Sequence, residues 1–265
     1  AKGASGAVTY VFKGGVVYRG KMFGTESGQP NNPIRFTTDP EWGDGPAKIY
    51  GSKQVAGQWK RADAASAPRI PEPEKVWYLD LPADFDVDPQ DVQFSSLWAV
   101  ENDKVTRMHI AREPNYKVTD PSYPLQHWAT WDAFEGSGNS GLLISKDWQD
   151  KPEDFFDGAS IYSQHRGLMG TPHHLAIQDY DPAKGGFKIS SPGGVSWRWP
   201  QSGKGRFNYR QQIHYFIEDV PDFLDAPYEY YFTSSGANKG RLFVRLPEDV
   251  EPSAVEFEAG VIKSP

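Results

Sequence analysis

Hydrophobic and polar positions along this chain form short runs that turn-forming residues separate. Residues 228–233 (YEYYFT) and 241–246 (RLFVRL) are rich in aromatic and β-branched side chains, and the segment 234–240 (SSGANKG) lies between them. Because such side chains favour strands while Gly and Asn favour tight turns, this pattern predicts a β-hairpin. A second turn at 247–252 leads to a further predicted strand at 254–257.

The same pattern recurs along the rest of the chain and predicts an all-β fold. The 22 prolines and 26 glycines interrupt the sequence too often for long helices. The sequence predicts a structured aromatic loop at residues 115–141 and one or two helical turns at residues 147–157. Short strands at regular intervals fit either the coils of a β-solenoid or the strands of a sandwich. The other predicted strands are 8–12, 16–18, 33–37, 47–50, 76–81, 92–100, 105–110, 142–145, 160–162, 175–178 and 187–189.

Composition narrows the classes of partner. The formal net charge of −7 argues against a nucleic-acid partner, although a local basic groove could still hold an anionic glycan. The 9 Trp, 13 Tyr and 15 Phe residues suit strands and cores, and their flat rings can also stack on sugars. With no cysteine, disulfides do not indicate the compartment. No apolar run is long enough to span a membrane, and no signal peptide is visible.

Five segments, in this order, resemble parts of bacterial right-handed parallel β-helix proteins of the pectate-lyase-like kind, many of which degrade polysaccharides. The order of the segments carries more weight than any one of them. Two positions depart from the pattern of that family: Asp219 stands where Asn is usual, and Tyr228 stands where Gly is usual. The segments are 12–20 (FKGGVVYRG), 32–36 (NPIRF) followed by 49–52 (IYGS) and Trp59, 75–78 (KVWY), 170–175 (GTPHHL) and 215–256.

The resemblance implies a fold and a division of the chain. We expect the start of a right-handed parallel β-helix with a β-rich insertion or hairpin region. Residues 1–115 would form the first coils and edge strands. Residues 116–265 would form the β-rich insertion and the hairpin region that returns towards the solenoid.

The same resemblance implies a function. We expect a secreted or periplasmic polysaccharide-degrading enzyme, either a lyase or a glycoside hydrolase, or the amino-terminal portion of one. The expected partners are a polysaccharide or oligosaccharide and the remainder of a longer β-helix chain. Two alternatives stay open: a non-catalytic glycan-binding module and a segment that caps a solenoid.

Three residues are candidates for proton transfer. Asp225 and Glu229 flank Ala226-Pro227 inside the last resembling segment, and a glycosidase needs two carboxylates across the scissile bond. His173 precedes a predicted strand, and histidine titrates near neutral pH. The alternative is structural: Asp225 would cap a turn, Glu229 would make a structural hydrogen bond, and one of the paired histidines would be buried.

Five residues are candidates for substrate binding. His174 adjoins His173, and a strand would turn the two side chains to opposite faces. Arg166 and Arg198 could each grip a sugar carboxylate, since a guanidinium binds it in bidentate fashion. Trp197 and Trp199 would share one face of an extended segment and could stack on a glycan. Surface ion pairs for the arginines and inward packing of the indoles are the alternatives.

The sequence predicts no defined metal site and leaves the cofactor unknown. Four aspartates around Pro89 begin like a calcium loop, but the turn glycine and the later glutamate of an EF-hand are lacking. A solvated acidic loop is the favoured interpretation. Residues 136–141 match G-x-G-x-x-G, but no βαβ context surrounds them, so we interpret them as a glycine-rich loop. The four aspartates are Asp84, Asp86, Asp88 and Asp91.

Overall fold

The computed structural model describes residues 7–20, 27–82, 85, 96–102, 104–137, 140–163, 173–189, 214–236 and 238–260. These residues form an all-β fold with short 3-10 turns between strands, as the sequence predicts. The strands are β1 (Val8–Gly14), β2 (Val17–Arg19), β3 (Ile34–Gly43), β4 (Lys48–Tyr50), β5 (Lys53–Val55), β6 (Lys60–Arg61), β7 (Val76–Asp80), β8 (Leu97–Glu101), β9 (Lys104–Ile110), β10 (Arg112–Glu113), β11 (Ala129–Thr130), β12 (Ala133–Ser137), β13 (Ser140–Ile144), β14 (Ser160–Ser163), β15 (His173–Asp181), β16 (Gly186–Ile189), β17 (His214–Glu218), β18 (Glu229–Phe232), β19 (Arg241–Arg245) and β20 (Glu256–Ala259).

Most of these strands belong to two eight-stranded sheets. The first sheet has the order β10-β17-β14-β15-β16-β13-β12, and β11 also pairs with β17. The second sheet has the order β5-β20-β8-β9-β18-β19-β7-β6. The described neighbours are antiparallel except β9 and β18, which run parallel.

The expected right-handed parallel β-helix is not shown. Parallel pairing joins β1 with β3 and β2 with β4 at the start of the chain, but these are separate two-stranded sheets. Everything after them is arranged mainly by antiparallel pairing. Short aromatic runs between turns occur in both architectures, so their spacing along the sequence does not distinguish parallel from antiparallel partners.

Two hydrophobic cores hold the sheets. The first core packs Tyr215 and Ile217 of the first sheet against Val76 and Phe243 of the second, so the two sheets face each other. Trp131 is buried in this core and stacks on Tyr215 with ring centroids 3.7 Å apart. The second core lies on the other face of the second sheet. Its fully buried members include Leu97, Met108, Leu242, Val244 and Phe257.

One stretch of chain passes from the second sheet into the first. β9 pairs with β18 in the second sheet, while β10 pairs with β17 in the first. Ala111, between β9 and β10, donates its N–H to Tyr230 and accepts the N–H of Asp219 at 2.7 and 2.9 Å. These pairings cross residue 115, the boundary expected from the sequence, and the division itself stays a prediction.

Two positions after β17 have left-handed backbone. Asp219 has φ 70° and Tyr228 has φ 63°. This region costs a residue with a Cβ roughly 1–2 kcal/mol, and Gly and Asn visit it most readily. Asn at position 219 and Gly at position 228 would therefore fit this backbone at lower cost than the residues present.

Candidate functional site

The two faces of β17 differ in character. Tyr215 and Ile217 point into the first core, because side chains alternate along a strand. His214, Phe216 and Glu218 therefore occupy the opposite face. Strands β10 and β14 pair with β17, and β15 pairs with β14, so each adds side chains to that face. We call this set the polar face; its members are Arg112, Tyr162, His174, His214, Phe216 and Glu218.

Four groups of the polar face stack in sequence across the sheet. The ring of His174 lies on Tyr162 at 4.6 Å and 21°, and Tyr162 lies on Phe216 at 4.8 Å and 14°. The guanidinium of Arg112 completes the stack, 3.3 Å from the Phe216 ring centroid. This cation–π contact and the edge of Trp128, 4.6 Å from Phe216, hold the inner end of the stack. The outer end, His174, is exposed.

Arg112 occupies the point where β9 leaves the second sheet. Its side chain is buried, and its Nε donates a hydrogen bond to the carbonyl of Pro114 at 3.0 Å. Burial lowers the pKa of Arg112 to about 10, while Glu218 and Glu229 act in the opposite direction. The guanidinium stays charged at neutral pH, and both carboxyl groups favour its charged form.

Glu218 is a buried carboxyl group on the polar face. Its relative exposure is 7%, and burial raises its pKa to about 8, with the nearby Asp219 adding to the rise. Arg112 and Arg107 pull the pKa down without cancelling the effect of burial. Its Oε1 lies 3.4 Å from Nε2 of His174. At neutral pH the carboxyl group is protonated, which is the state of a proton donor.

Glu229 also acts on the pKa of Arg112, and Asp225 acts on that of Glu229. Burial raises the pKa of Glu229 to about 8, and Asp225 adds to the rise. Glu229 Oε2 accepts the N–H of Ala226 at 3.2 Å, whereas Oε1 has no hydrogen-bond partner among the described residues. Asp225 is exposed, and its Oδ1 accepts a hydrogen bond from Nδ2 of Asn115 at 3.0 Å.

A third carboxyl group belongs to the same region. Burial raises the pKa of Glu113, and the charge of Asp225 raises it further. Glu113 is next to Arg112 in β10, so Arg112 is surrounded by carboxyl groups of different exposure. Groups of this kind, with shifted pKa values in a small region, are typical of functional sites.

The segment after β10 covers part of the polar face. Tyr116 stacks on His109 with centroids 3.9 Å apart, and the hydroxyl of Tyr123 lies 3.1 Å from Nε2 of His214. Burial lowers the pKa of His109 to about 4, with Arg112 and Arg107 adding to the effect, so this histidine is neutral at pH 7. The covering leaves His174 as the accessible end of the polar face.

Three of the residues predicted for the site are linked to Arg112 through other groups. His174 lies beside Glu218, Asp225 acts on the pKa of Glu229, and both glutamates act on the pKa of Arg112. His173 begins β15, and only its backbone is described. Arg166, Trp197, Arg198 and Trp199 lie outside the described residues. The roles proposed for all eight residues stay predictions.

Sequence reasoning did not select Glu218, Arg112 or Tyr162. One signal was present: residues 214–218 (HYFIE) alternate polar or aromatic side chains with core side chains, as a two-faced strand does. Glu218 also belongs to the best resembling segment. Neither pattern reveals that the carboxyl group is buried or that His174 lies beside it.

The described residues contain no group of three or more His, Cys, Asp or Glu side chains able to hold a metal ion. The four aspartates around Pro89 lie outside these residues, so calcium there stays a prediction. Nor does the described part of the chain include a helix of the length and apolar character that crossing a membrane requires.

Comparison with known proteins gives one informative likeness. No protein-family model matches the sequence, and no curated protein matches it significantly. Among solved structures, a protein named glycoside hydrolase has a similar fold, with a TM-score of 0.55 and 14% sequence identity. The match covers 95% of this chain and 37% of that protein, so the chain spans well under half of its length. At this identity the likeness concerns the fold.

Proposed function

We propose that the chain is part of a carbohydrate-active enzyme that hydrolyses a glycosidic bond, with Glu218 as the proton donor. The observation that carries the proposal is a buried carboxyl group with a pKa raised to about 8, which lies 3.4 Å from His174 at the exposed end of a stack of aromatic rings. Hydrolysis requires a proton for the departing sugar oxygen, and a carboxylic acid with a raised pKa supplies it at neutral pH. The fold likeness to a protein named glycoside hydrolase supports the same class.

Glycosidic hydrolysis requires a second carboxylate, as nucleophile or as base. Asp225 is the exposed carboxylate of the site and Glu229 is its buried neighbour. We propose Asp225 for the second role, with Glu229 holding the adjacent backbone by accepting the N–H of Ala226. His173 remains a predicted acid or base at the start of β15.

Hydrolysis is favoured over elimination by the state of the central cation. Elimination from a uronate needs a free cation to neutralise the sugar carboxylate before a base removes a proton. Arg112 is 5% exposed, packs on Phe216 and donates to Pro114, so its guanidinium is already engaged. Elimination would need other cations, for which Arg166 and Arg198 are the predicted candidates.

Glycan binding is proposed at the exposed end of the ring stack. His174 is exposed and Tyr162 is half-buried, so a sugar ring can reach this end. Aromatic faces present a flat apolar surface suited to the C–H groups of a pyranose ring. The predicted Trp197 and Trp199 would extend the platform. Such a substrate suits a secreted or periplasmic protein.

A non-catalytic glycan-binding module is the second candidate. The burial of both high-pKa carboxyl groups favours it, since Glu218 and Glu229 are 7% and 2% exposed. In this case the carboxyl groups would stabilise the sheet crossing, and only the ring stack would contact the glycan. A solenoid-capping role would be supported by the parallel pairs β1–β3 and β2–β4.

The two candidates separate in one assay. The protein is incubated with a panel of neutral and uronate-containing polysaccharides, and products are followed by reducing-sugar release and by ultraviolet absorbance. Hydrolysis gives reducing ends without unsaturated products. Unsaturated products would show that the reaction is elimination and not hydrolysis. Glycan binding without either product would leave only the non-catalytic glycan-binding module.

A further inference from the structure

We infer that His174 is a positioning residue that passes protons between solvent and Glu218. This inference rests on the proposed function, because it names how the proton donor of that reaction would be recharged. It assigns to His174 a task different from the substrate contact that the sequence predicts. The inference depends on the placement of three side chains on adjacent strands.

The first step is the approach of the two groups. Nε2 of His174 lies 3.4 Å from Oε1 of Glu218. The side chain of His174 is 44% exposed, whereas that of Glu218 is 9% exposed. Solvent therefore reaches the imidazole far more readily than the carboxyl group. A proton from bulk water has a short path to Glu218 through the ring.

The second step is the fixed position of the imidazole. His174 pairs with Tyr162 across β14 and β15, and Tyr162 pairs with Phe216 across β14 and β17. The near-parallel stacking of these rings holds the plane of the imidazole. Glu218 stands two residues beyond Phe216 on the same face of β17. The sheet thus sets the orientation of the imidazole relative to the carboxyl group.

The third step is the balance of charge around the pair. Partial burial lowers the pKa of His174, so the ring is neutral at pH 7 and can accept a proton. Burial and Asp219 keep Glu218 protonated, while Arg112 and Arg107 favour its ionised form. The titratable or charged groups around Glu218 are Arg107 on β9, Arg112 on β10, Tyr162 on β14, His174 on β15, Asp219 after β17 and Tyr230 on β18.

The proton transfers balance. In the cleavage step the O–H bond of Glu218 breaks and its proton moves to the glycosidic oxygen, leaving a carboxylate. The imidazole, protonated from water at Nδ1, then gives the Nε2 proton to Oε1 of Glu218. The proton taken from the attacking water by the second carboxylate returns to solvent. No group is oxidised or reduced.

The first test follows the ring nitrogens of His174 by NMR in the protein labelled with nitrogen-15, from pH 4 to pH 10. Because Glu218 ionises near pH 8, we expect a second inflection of the His174 signals there in the wild-type protein. The Glu218→Gln variant should lack this inflection, since an amide does not ionise. Identical titrations of His174 in both proteins would overturn the inference.

The second test measures turnover of the glycan that the panel identifies. His174→Gly should lower kcat by at least tenfold, a smaller loss than the 10²–10⁴-fold typical of losing a general acid itself. Losing the ring at the proposed glycan-binding end should also raise KM, so the relay is judged by kcat alone. Imidazole added to the buffer should restore a measurable part of the rate. His127→Gly, at a histidine outside the polar face, serves as the control and should keep full activity. A purely structural role of His174 would give no rescue.

The two tests separate the inference from the proposed function. A wild-type protein that cleaves no glycan overturns the proposed function, while a coupled titration would still establish proton sharing between His174 and Glu218. A protein that cleaves a glycan but titrates without coupling, or shows no imidazole rescue, overturns the relay alone.

Discussion

The paired strands β14 and β17 present two faces, one apolar and buried in the first core and the other carrying polar and aromatic side chains. One face contributes Ile161, Tyr215 and Ile217 to the first core, where all three are almost fully buried. The other face carries aromatic rings beside a buried carboxyl group and a buried guanidinium. Since an apolar core needs no titratable group, the contrast separates the side chains that hold the fold from those to which we propose a chemical role.

The comparison teaches where the stability of the sheet comes from. Burying apolar side chains stabilises the folded state at about 25 cal/mol per Å². Burying an ionisable group costs free energy unless it is neutralised or paired, and here both Glu218 and Glu229 respond by keeping their protons. A site that costs stability and persists is where function is expected.

The largest expected effect comes from damaging the core face. Trp131→Ala removes a ring that is 2% exposed, stacks on Tyr215 and donates from Nε1 to Oγ of Ser163 at 3.2 Å. We expect the free energy of unfolding to fall by about 3–5 kcal/mol. Urea denaturation measures it. The matched variant Trp42→Ala, at a 49% exposed indole, should change it by at most about 0.5 kcal/mol. Equal losses in the two variants would refute this assignment of the core.

The next effect concerns pH and the polar face. The folded-state pKa of Glu218, about 8, lies above the ordinary glutamate pKa of 4.5, so its contribution to stability is present below pH 4.5 and is lost as pH rises through 8. Glu218→Gln removes this dependence. Between pH 5 and 8 the unfolding free energy of the wild type should fall relative to the variant, by up to about 1.4 kcal/mol per pH unit.

Urea denaturation at several pH values measures this difference. Glu74→Gln, at an exposed glutamate, is the control and should track the wild type throughout. A wild type and Glu218→Gln variant with parallel pH profiles would mean that Glu218 is not protonated in the folded protein.

A smaller effect is expected from the ring stack. Tyr162→Ala removes the ring between His174 and Phe216, so glycan affinity should fall by about five- to tenfold, the ~1 kcal/mol scale of an aromatic contact. Isothermal titration calorimetry on the glycan identified by the panel measures it. Tyr162→Phe keeps the ring and should bind almost as the wild type does. If removing the ring leaves affinity unchanged, the glycan binds elsewhere.

The strands themselves followed from local sequence. Aromatic and β-branched runs between Gly, Pro and Asn predicted the hairpin of β18 and β19, and the structure confirms it. The helical turns predicted after residue 146 are a 3-10 turn at Lys146–Trp148 and further turns. The residues of these elements are close in sequence, so local preferences decide them.

The partners of distant strands did not follow. Nothing local indicates that β17 lies between β10 and β14, or that the chain from β9 to β10 changes sheets. Such pairings depend on which hydrophobic faces must be covered, and several arrangements of short strands cover them. For this reason the sequence did not indicate the mainly antiparallel sheets that the structure has in place of the expected parallel β-helix.

The site was predictable only in part. Asp225 and Glu229 are four residues apart, so the sequence alone predicts that they lie close together. The environment of His174 could not be predicted in this way. The carboxyl group 3.4 Å from its Nε2 belongs to Glu218, 44 residues later, and the raised pKa of that group comes from burial that only the folded sheet creates.

The most direct test of the central claim is the turnover of Glu218→Gln on the glycan that the wild-type protein cleaves. The amide keeps the size of the side chain and cannot donate the proton. If Glu218 is the proton donor, the variant should turn over its substrate roughly 10²–10⁴-fold more slowly, with folding preserved. Turnover at the wild-type rate by a folded Glu218→Gln protein would contradict the account.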